Sequence, residues 1–194
     1  MAGMDPAWLR AVIEESIATK QRFLAESLAD VQRLCDAALA CIRGGGTLFF
    51  CGNGGSSCDV AHVVGELVGW FEKKDRPPYA AVALGHEVPT LTAIGNDAGY
   101  EHVFARQLTA LAKPGDMLIG FSTSGGSRNV IAAVEAARRV PITTAALTGS
   151  KPSKLAELVD VCVRVPSTNT ARIQESHLMC VHLLCAAIEE GMAK

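Results

Sequence analysis

His62 and Glu66 lie four residues apart in the stretch CGNGGSSCDVAHVVGE, residues 51–66. On a helix that spacing puts both side chains on one face. There an imidazole and a carboxylate can share a metal ion or divide the acid and base work of a proton transfer. Taken alone, a His-x3-Glu pair is more often a solvated polar pair than a site. The same stretch opens where an apolar run, 47–51, meets a glycine cluster. Strand, glycine turn and helix in that order aim unpaired N–H groups and a positive dipole end at one point. Asn53, Gly54 and Gly55 occupy the turn. Glycine lets a ligand approach the backbone closely, and asparagine can donate and accept towards sugar hydroxyls.

A second loop reads FSTSGGS, residues 121–127. Ser122, Thr123, Ser124 and Ser127 supply four hydroxyls, with two glycines and a helix starting near Ser127. A phosphate needs several convergent donors more than formal charge, and this loop offers them. An ordinary N-cap serine would account for one hydroxyl, not four. Neither glycine loop has the G-x-G-x-x-G or G-x-x-x-x-G-K-[ST] spacing, which disfavours a nucleotide. In the last helical stretch Gln174, His177 and His182 stand among Leu178, Met179, Val181, Leu183 and Leu184. Buried polar groups there would need partners. Gln174 lies about 60° from His177 and about 80° from His182 around a helix, so geometry leaves both histidines open.

The elements that position these residues follow from periodicity. Apolar runs at 47–51, 80–84, 117–121, 143–147 and 161–165 read as five short buried strands. Helical patterns fall at 57–71, 88–94 with 101–112, 127–139, 153–158 and 171–192. Strict alternation implies a doubly wound five-stranded parallel α/β sheet with helices on both faces. Residues 6–42 repeat Leu9, Ile13, Ile17, Leu24, Leu28, Val31, Cys35, Ala38 and Ile42 at helical steps, with Asp5-Pro6 as the start and Gly44–Gly46 as the stop. A break near 27–30 is expected in so long a run, and residues 1–43 are expected to pack on the domain and on other subunits. In doubly wound sheets ligands bind beyond the carboxyl ends of the strands. That puts 52–56 and 122–127 in one pocket, with Gly95-Asn96-Asp97 read as a turn nearby.

Bulk properties narrow the class. The 194 residues suffice for one domain, 1–194, and 49% hydrophobic with 20% charged residues is ordinary globular composition. A net charge of −2 argues against direct nucleic-acid binding through a basic surface. No apolar run has membrane-span length, and the start, MAGMDPAWLR, lacks a signal-peptide core. Seven cysteines without a C-x-x-C pair suit a reduced, cytoplasmic protein.

Together these motifs resemble the sugar isomerase (SIS) fold and, more narrowly, the phosphoheptose isomerases. The resemblance runs over nearly the whole chain: the helical N-terminus, CGNGGSSCDVAH with Glu66, LTAIGND, GDMLIGFSTSGGS, and VPSTNTARIQESH with His182. It implies conversion of D-sedoheptulose 7-phosphate to D-glycero-D-manno-heptose 7-phosphate through an enediol, with Glu66 as base and His182 as acid. It implies a phosphate on Ser122, Thr123, Ser124 and Ser127, and sugar contacts from Asn53, Gly54, Gly55, Glu66, Asn96, Asp97 and Gln174. One zinc per subunit on His62, Glu66, Gln174 and His182 is implied as well, which selects His182 over His177. So is a homotetramer with active sites at subunit contacts.

The chain departs from the family pattern in places. Trp70 stands where the family commonly has Arg, four residues past the Glu; either Arg76 compensates or the substrate differs. A frequent Gln is lost as Ala61, and Asn169 stands where Asp often precedes the Thr. Cys58 is not read as a nucleophile, because no base accompanies it. A non-catalytic SIS-domain sugar-phosphate sensor or replication-initiator-associating regulator is the alternative; the intact Glu66 and His182 favour the enzyme. A zinc hydrolase built on His62, Glu66 and His182 would leave the serine loop without a role.

Overall fold

The expected apolar runs pair into one parallel sheet. The computed structural model describes residues 3–193. Strands β1 (Leu48–Gly52), β2 (Ala81–Ala83), β3 (Met117–Ser122), β4 (Thr143–Thr148) and β5 (Val161–Arg164) fall within a residue of the expected ends. Their order is β2-β1-β3-β4-β5, all parallel. Every residue of β1 and β3 is buried, as a strand covered on both faces must be, and this is why both read as unbroken apolar runs. Alternation along β1 divides the core. Leu48 and Phe50 join a cluster with helices α1 (Pro6–Arg43), α2 (Gly55–Val68) and α7 (Thr170–Met192). Phe49 and Cys51 face the other cluster, built with α3 (Val88–Asp97), α4 (Val103–Leu111), α5 (Arg128–Ala137) and α6 (Lys154–Leu158). Chain order reverses between β1 and β3, so a crevice opens where the loops after those two strands diverge.

The first helix departs from expectation. It runs unbroken for 38 residues, about 57 Å at 1.5 Å per residue. No glycine or proline interrupts it after Pro6, and its middle is tied to the sheet: buried Ser27 donates to the Arg164 carbonyl at 2.6 Å, and Arg33 donates to that of Asp160 at 2.9 Å. Thr19, Phe23, Ser27, Val31, Leu34 and Ala38 face the core. Leu9, Ile13, Ile17, Leu24 and Leu28, from the stripe read in the sequence, are exposed. Residues 95–97, expected as a turn, form the last turn of α3, because Gly95 takes no left-handed φ and the segment ends only at Gly99, with a φ of 95°.

Candidate active site

Helix α2 leaves β1 through Gly54, whose φ of 56° and ψ of −124° suit glycine. Ser56 and Ser57 then donate their N–H groups back to Asn53 and Gly54 at 3.1 and 3.0 Å. Alongside, α7 packs against α2 and brings distant residues together. His62 Nε2 lies 3.0 Å from His182 Nε2 and 3.5 Å from Glu66 Oε1. The ring of Phe71 stacks on His182, centroids 5.6 Å apart at 29°. Of the two histidines that the sequence left open, the structure brings His182, not His177, to His62. His177 is fully buried, its Nε2 3.4 Å from the Thr148 carbonyl and its ring edge-on to Phe121. Burial pulls its pKa down to about 4, with the Thr148 carbonyl opposing. It is a neutral core residue.

Gln174 meets α2 at its other end: a Cβ on Gly55 would stand 2.5 Å from Gln174 Nε2. Gly55 leaves room for that carboxamide. Asp59, one turn before His62, has Oδ2 buried without a hydrogen-bond partner. Desolvation raises its pKa to about 6, while the neighbouring His62 pulls the other way.

The serine loop is tightly organised. Gly125 turns at φ 64° and donates to the Ser122 carbonyl at 3.0 Å, and a Cβ there would run into Ser153. Ser127 is the N-cap residue of α5, yet its hydroxyl makes no cap bond; it meets buried Ser122 Oγ at 2.9 Å. Three of the four hydroxyls line two separate cavities rather than the one pocket expected, and buried Ser122 lines neither. Thr123 and Ser124 line one of about 180 Å³ together with Lys151, Ser167 and Thr168. Ser127 lines one of about 410 Å³ with Asn53, Tyr100 and Asn129.

Asn53 lines the second cavity in a reciprocal amide pair. Its Nδ2 donates to Asn129 Oδ1 and its Oδ1 accepts from Asn129 Nδ2, both at 2.8 Å, and Tyr100 donates to the same Oδ1 at 3.2 Å. Asn129 also accepts from the N–H of Val130 at 3.0 Å, capping α5. Asn96 and Asp97 are exposed at the end of α3, bonded to each other at 2.8 Å. Asn129, Tyr100 and Phe71 were not among the residues picked out in the sequence. An asparagine in the first turn of the mostly apolar run 129–137 was the available signal for Asn129; the other two had none.

Imidazole and carboxylate are donor types that zinc takes. Ligand atoms about 2.0–2.1 Å from a tetrahedral zinc stand about 3.3 Å apart, and the 3.0 and 3.5 Å separations around His62 bracket that spacing. Among the described residues no three His, Cys, Asp or Glu side chains already converge as a finished cation site. The cluster is a pair of close contacts centred on His62.

The SIS-domain family model matches residues 12–149. The phosphoheptose isomerase of Rhodospirillum rubrum is 47% identical over 153 residues, which is 79% of this chain and 81% of that one. The solved phosphoheptose isomerase of Francisella tularensis superposes with a TM-score of 0.92 at 34% identity, covering 97% of this chain and 100% of that one. That of Neisseria gonorrhoeae gives 0.89 at 40% identity, covering 95% and 98%. The chain belongs to the phosphoheptose isomerase family of SIS-domain proteins. It is an isomerase, which sets aside the non-catalytic alternative.

Family membership gives the departures a structural account. In this isomerase Trp70 is 56% exposed just past the end of α2. Arg76 does not replace the family's arginine. Its side chain is 6% exposed and bound to Glu189 and to the carbonyls of Glu66, Leu67 and Pro77, so the guanidinium is not free for a substrate. Cys58 is exposed on α2 and, like the other six cysteines, free.

Proposed function

We propose that this isomerase converts D-sedoheptulose 7-phosphate to D-glycero-D-manno-heptose 7-phosphate through an enediol, with Glu66 as base and His182 as acid. The observation that carries the reading is the meeting of α2 and α7, which puts Glu66, His62 and His182 in one contact chain at 3.5 and 3.0 Å. Moving a carbonyl between adjacent carbons needs a base on carbon and an acid on oxygen. Glu66 takes a proton from C1 of the open-chain ketose while His182 gives one to the C2 oxygen, leaving the enediol. Glu66 then returns its proton to C2 as the C1 hydroxyl gives one back to His182, giving the aldose and restoring both groups. The two facing Nε2 atoms lie 3.0 Å apart, a distance at which one donates and the other accepts, with the direction set by the tautomers.

Zinc would be held by His62, Glu66 and His182, with Gln174 as the fourth donor by resemblance, and supplies a Lewis acid that polarises the carbonyl oxygen. Ser122, Thr123, Ser124 and Ser127 are assigned to the phosphate. Asn53, Gly54, Gly55, Asn96, Asp97 and Gln174 are assigned to the sugar, with Asn53 held ready by Asn129 and Tyr100. The exposed apolar positions Trp8, Leu9, Ile13, Ile17, Leu24 and Leu28 on α1 favour a homotetramer built through that helix, with active sites at subunit contacts. Seven free cysteines favour a cytoplasmic location, and among the described residues no helix is long and apolar enough to cross a membrane.

The test is aldose formation from sedoheptulose 7-phosphate by the purified protein, zinc-loaded and after chelation. Glu66→Gln should lower the rate by about 10²–10⁴-fold with the fold intact. No turnover by the unaltered protein in either condition would sink the isomerisation of this substrate, and a full rate in Glu66→Gln would sink the choice of base.

A further inference from the structure

Behind the site lies a buried ion pair that the chemistry above does not use. Arg76 Nε donates to Glu189 Oε1 at 2.6 Å, with side chains 6% and 2% exposed. A buried pair is by itself weak evidence for stability, because desolvation offsets its attraction; its partners are more informative. Arg76 Nη2 donates to the Glu66 carbonyl at 2.6 Å, and Nη1 donates to the carbonyls of Leu67 and Pro77 at 3.0 Å each. Its guanidinium lies 4.4 Å from the Tyr79 ring centroid. Glu189 accepts from the N–H groups of Phe71, Glu72 and Lys73 at 3.3, 3.1 and 3.0 Å. Phe71 is the residue whose ring stacks on His182.

We propose that the Arg76–Glu189 pair is a positioning device that sets Glu66 and His182 together. The proposal rests on the roles given to those two residues above. At one end Arg76 grips the last turn of α2, where carbonyls lack intrahelical partners and a cation is favoured. One of the gripped carbonyls is that of Glu66, so the grip fixes the backbone from which the base projects. At the other end Glu189 fixes the backbone of Phe71 and, through it, the ring lying on His182. Glu189 is seven residues beyond His182 on α7, so the pair ties the far end of α2 to the far end of α7. It locks the angle at which the two helices present their functional groups. Neither side chain touches substrate; both act through the residues they hold.

The experiment compares Glu189→Gln, Phe71→Leu and the double variant. It combines steady-state turnover of sedoheptulose 7-phosphate, thermal melts and ¹H–¹³C spectra of the histidine rings. A displacement of the order of 1 Å at a reacting group lowers kcat by about 10- to 100-fold, so each single variant should lose that much with KM within about twofold. If Glu189 acts through the Phe71 ring, the double variant falls no further than the worse single. The His182 ring signal should shift in every variant while that of His102, which directly precedes α4 on the opposite face of the sheet, stays put. Phe71→Leu keeps its N–H for Glu189, so it carries the kcat test even if Glu189→Gln fails to fold. A lower melting temperature with unchanged kcat, or losses that multiply in the double variant, would overturn the proposal. If the unaltered protein turns over no heptose phosphate, the functional reading fails separately. An unmoved His182 signal in Phe71→Leu would then still overturn the positioning role.

Discussion

Gly55→Ala separates the fold of this isomerase from its chemistry. The added Cβ would lie 2.5 Å from Gln174 Nε2 and 3.0 Å from its Cδ and Oε1. Ordinary contacts between such atoms are about 3.5 Å, so the Gln174 carboxamide must withdraw by about 1 Å. Gly55 opens α2 with no left-handed φ, and alanine in a helix is favoured over glycine by about 0.5–1 kcal/mol. That gain and the cost of moving a flexible side chain nearly offset each other. The melting temperature should move by no more than about 2–4 °C, the shift that about 1 kcal/mol produces in a chain this long. Turnover should suffer far more, because displacing a positioning group by about 1 Å can cost about 100-fold. The assay pairs thermal melts with kcat/KM for the ketose phosphate, in the natural background and in Gln174→Ala. Full activity in Gly55→Ala would refute the importance of where Gln174 stands. An equal further loss in the Gln174→Ala background would instead place the clash on the substrate itself.

Ser124→Ala removes one exposed hydroxyl from the loop proposed to hold phosphate; a lost hydrogen bond to a charged group is worth about 1.5–3 kcal/mol, so KM should rise by about 10- to 100-fold with the melting curve unchanged. Gly125→Ala forces a left-handed φ of 64° on a residue with a Cβ that meets Ser153, and should destabilise by about 2 kcal/mol or more in denaturant melts. His177, held near pKa 4 by burial, takes up protons more readily unfolded, from about 6.5. Its contribution is therefore intact above pH 6.5 and is lost as pH falls towards 4, about 2 kcal/mol by pH 5. Denaturant titrations of His177→Phe should show a correspondingly shallower decline over that window.

Much of this fold follows from local pattern. Strands buried on both faces must be apolar throughout, so their positions could be read to within a residue, and strict alternation with helices left little choice but a parallel sheet. Chemistry-bearing residues were legible where type and spacing coincide: His62 with Glu66 one helical turn apart, and four hydroxyls gathered around two glycines. What pattern could not settle was direction and partnership. Helical periodicity places apolar residues on a stripe but does not say which stripe meets the core. The α1 positions most regular in sequence, Leu9 to Leu28, face outward while Thr19 and Ser27 are buried. By helical geometry alone the same ambiguity left His177 and His182 equivalent, and the packing of α7 on α2 is what brings His182 to His62. Arg76 looked like a free cation able to replace an absent arginine, and only the fold shows its guanidinium committed to three carbonyls and Glu189. Asn129 and Phe71 lie far in sequence from Asn53 and His182, the residues they hold. Local sequence determines which segments form and which groups they carry. Tertiary packing decides which groups meet, because a contact between helices depends on rotation and register that no single helix encodes.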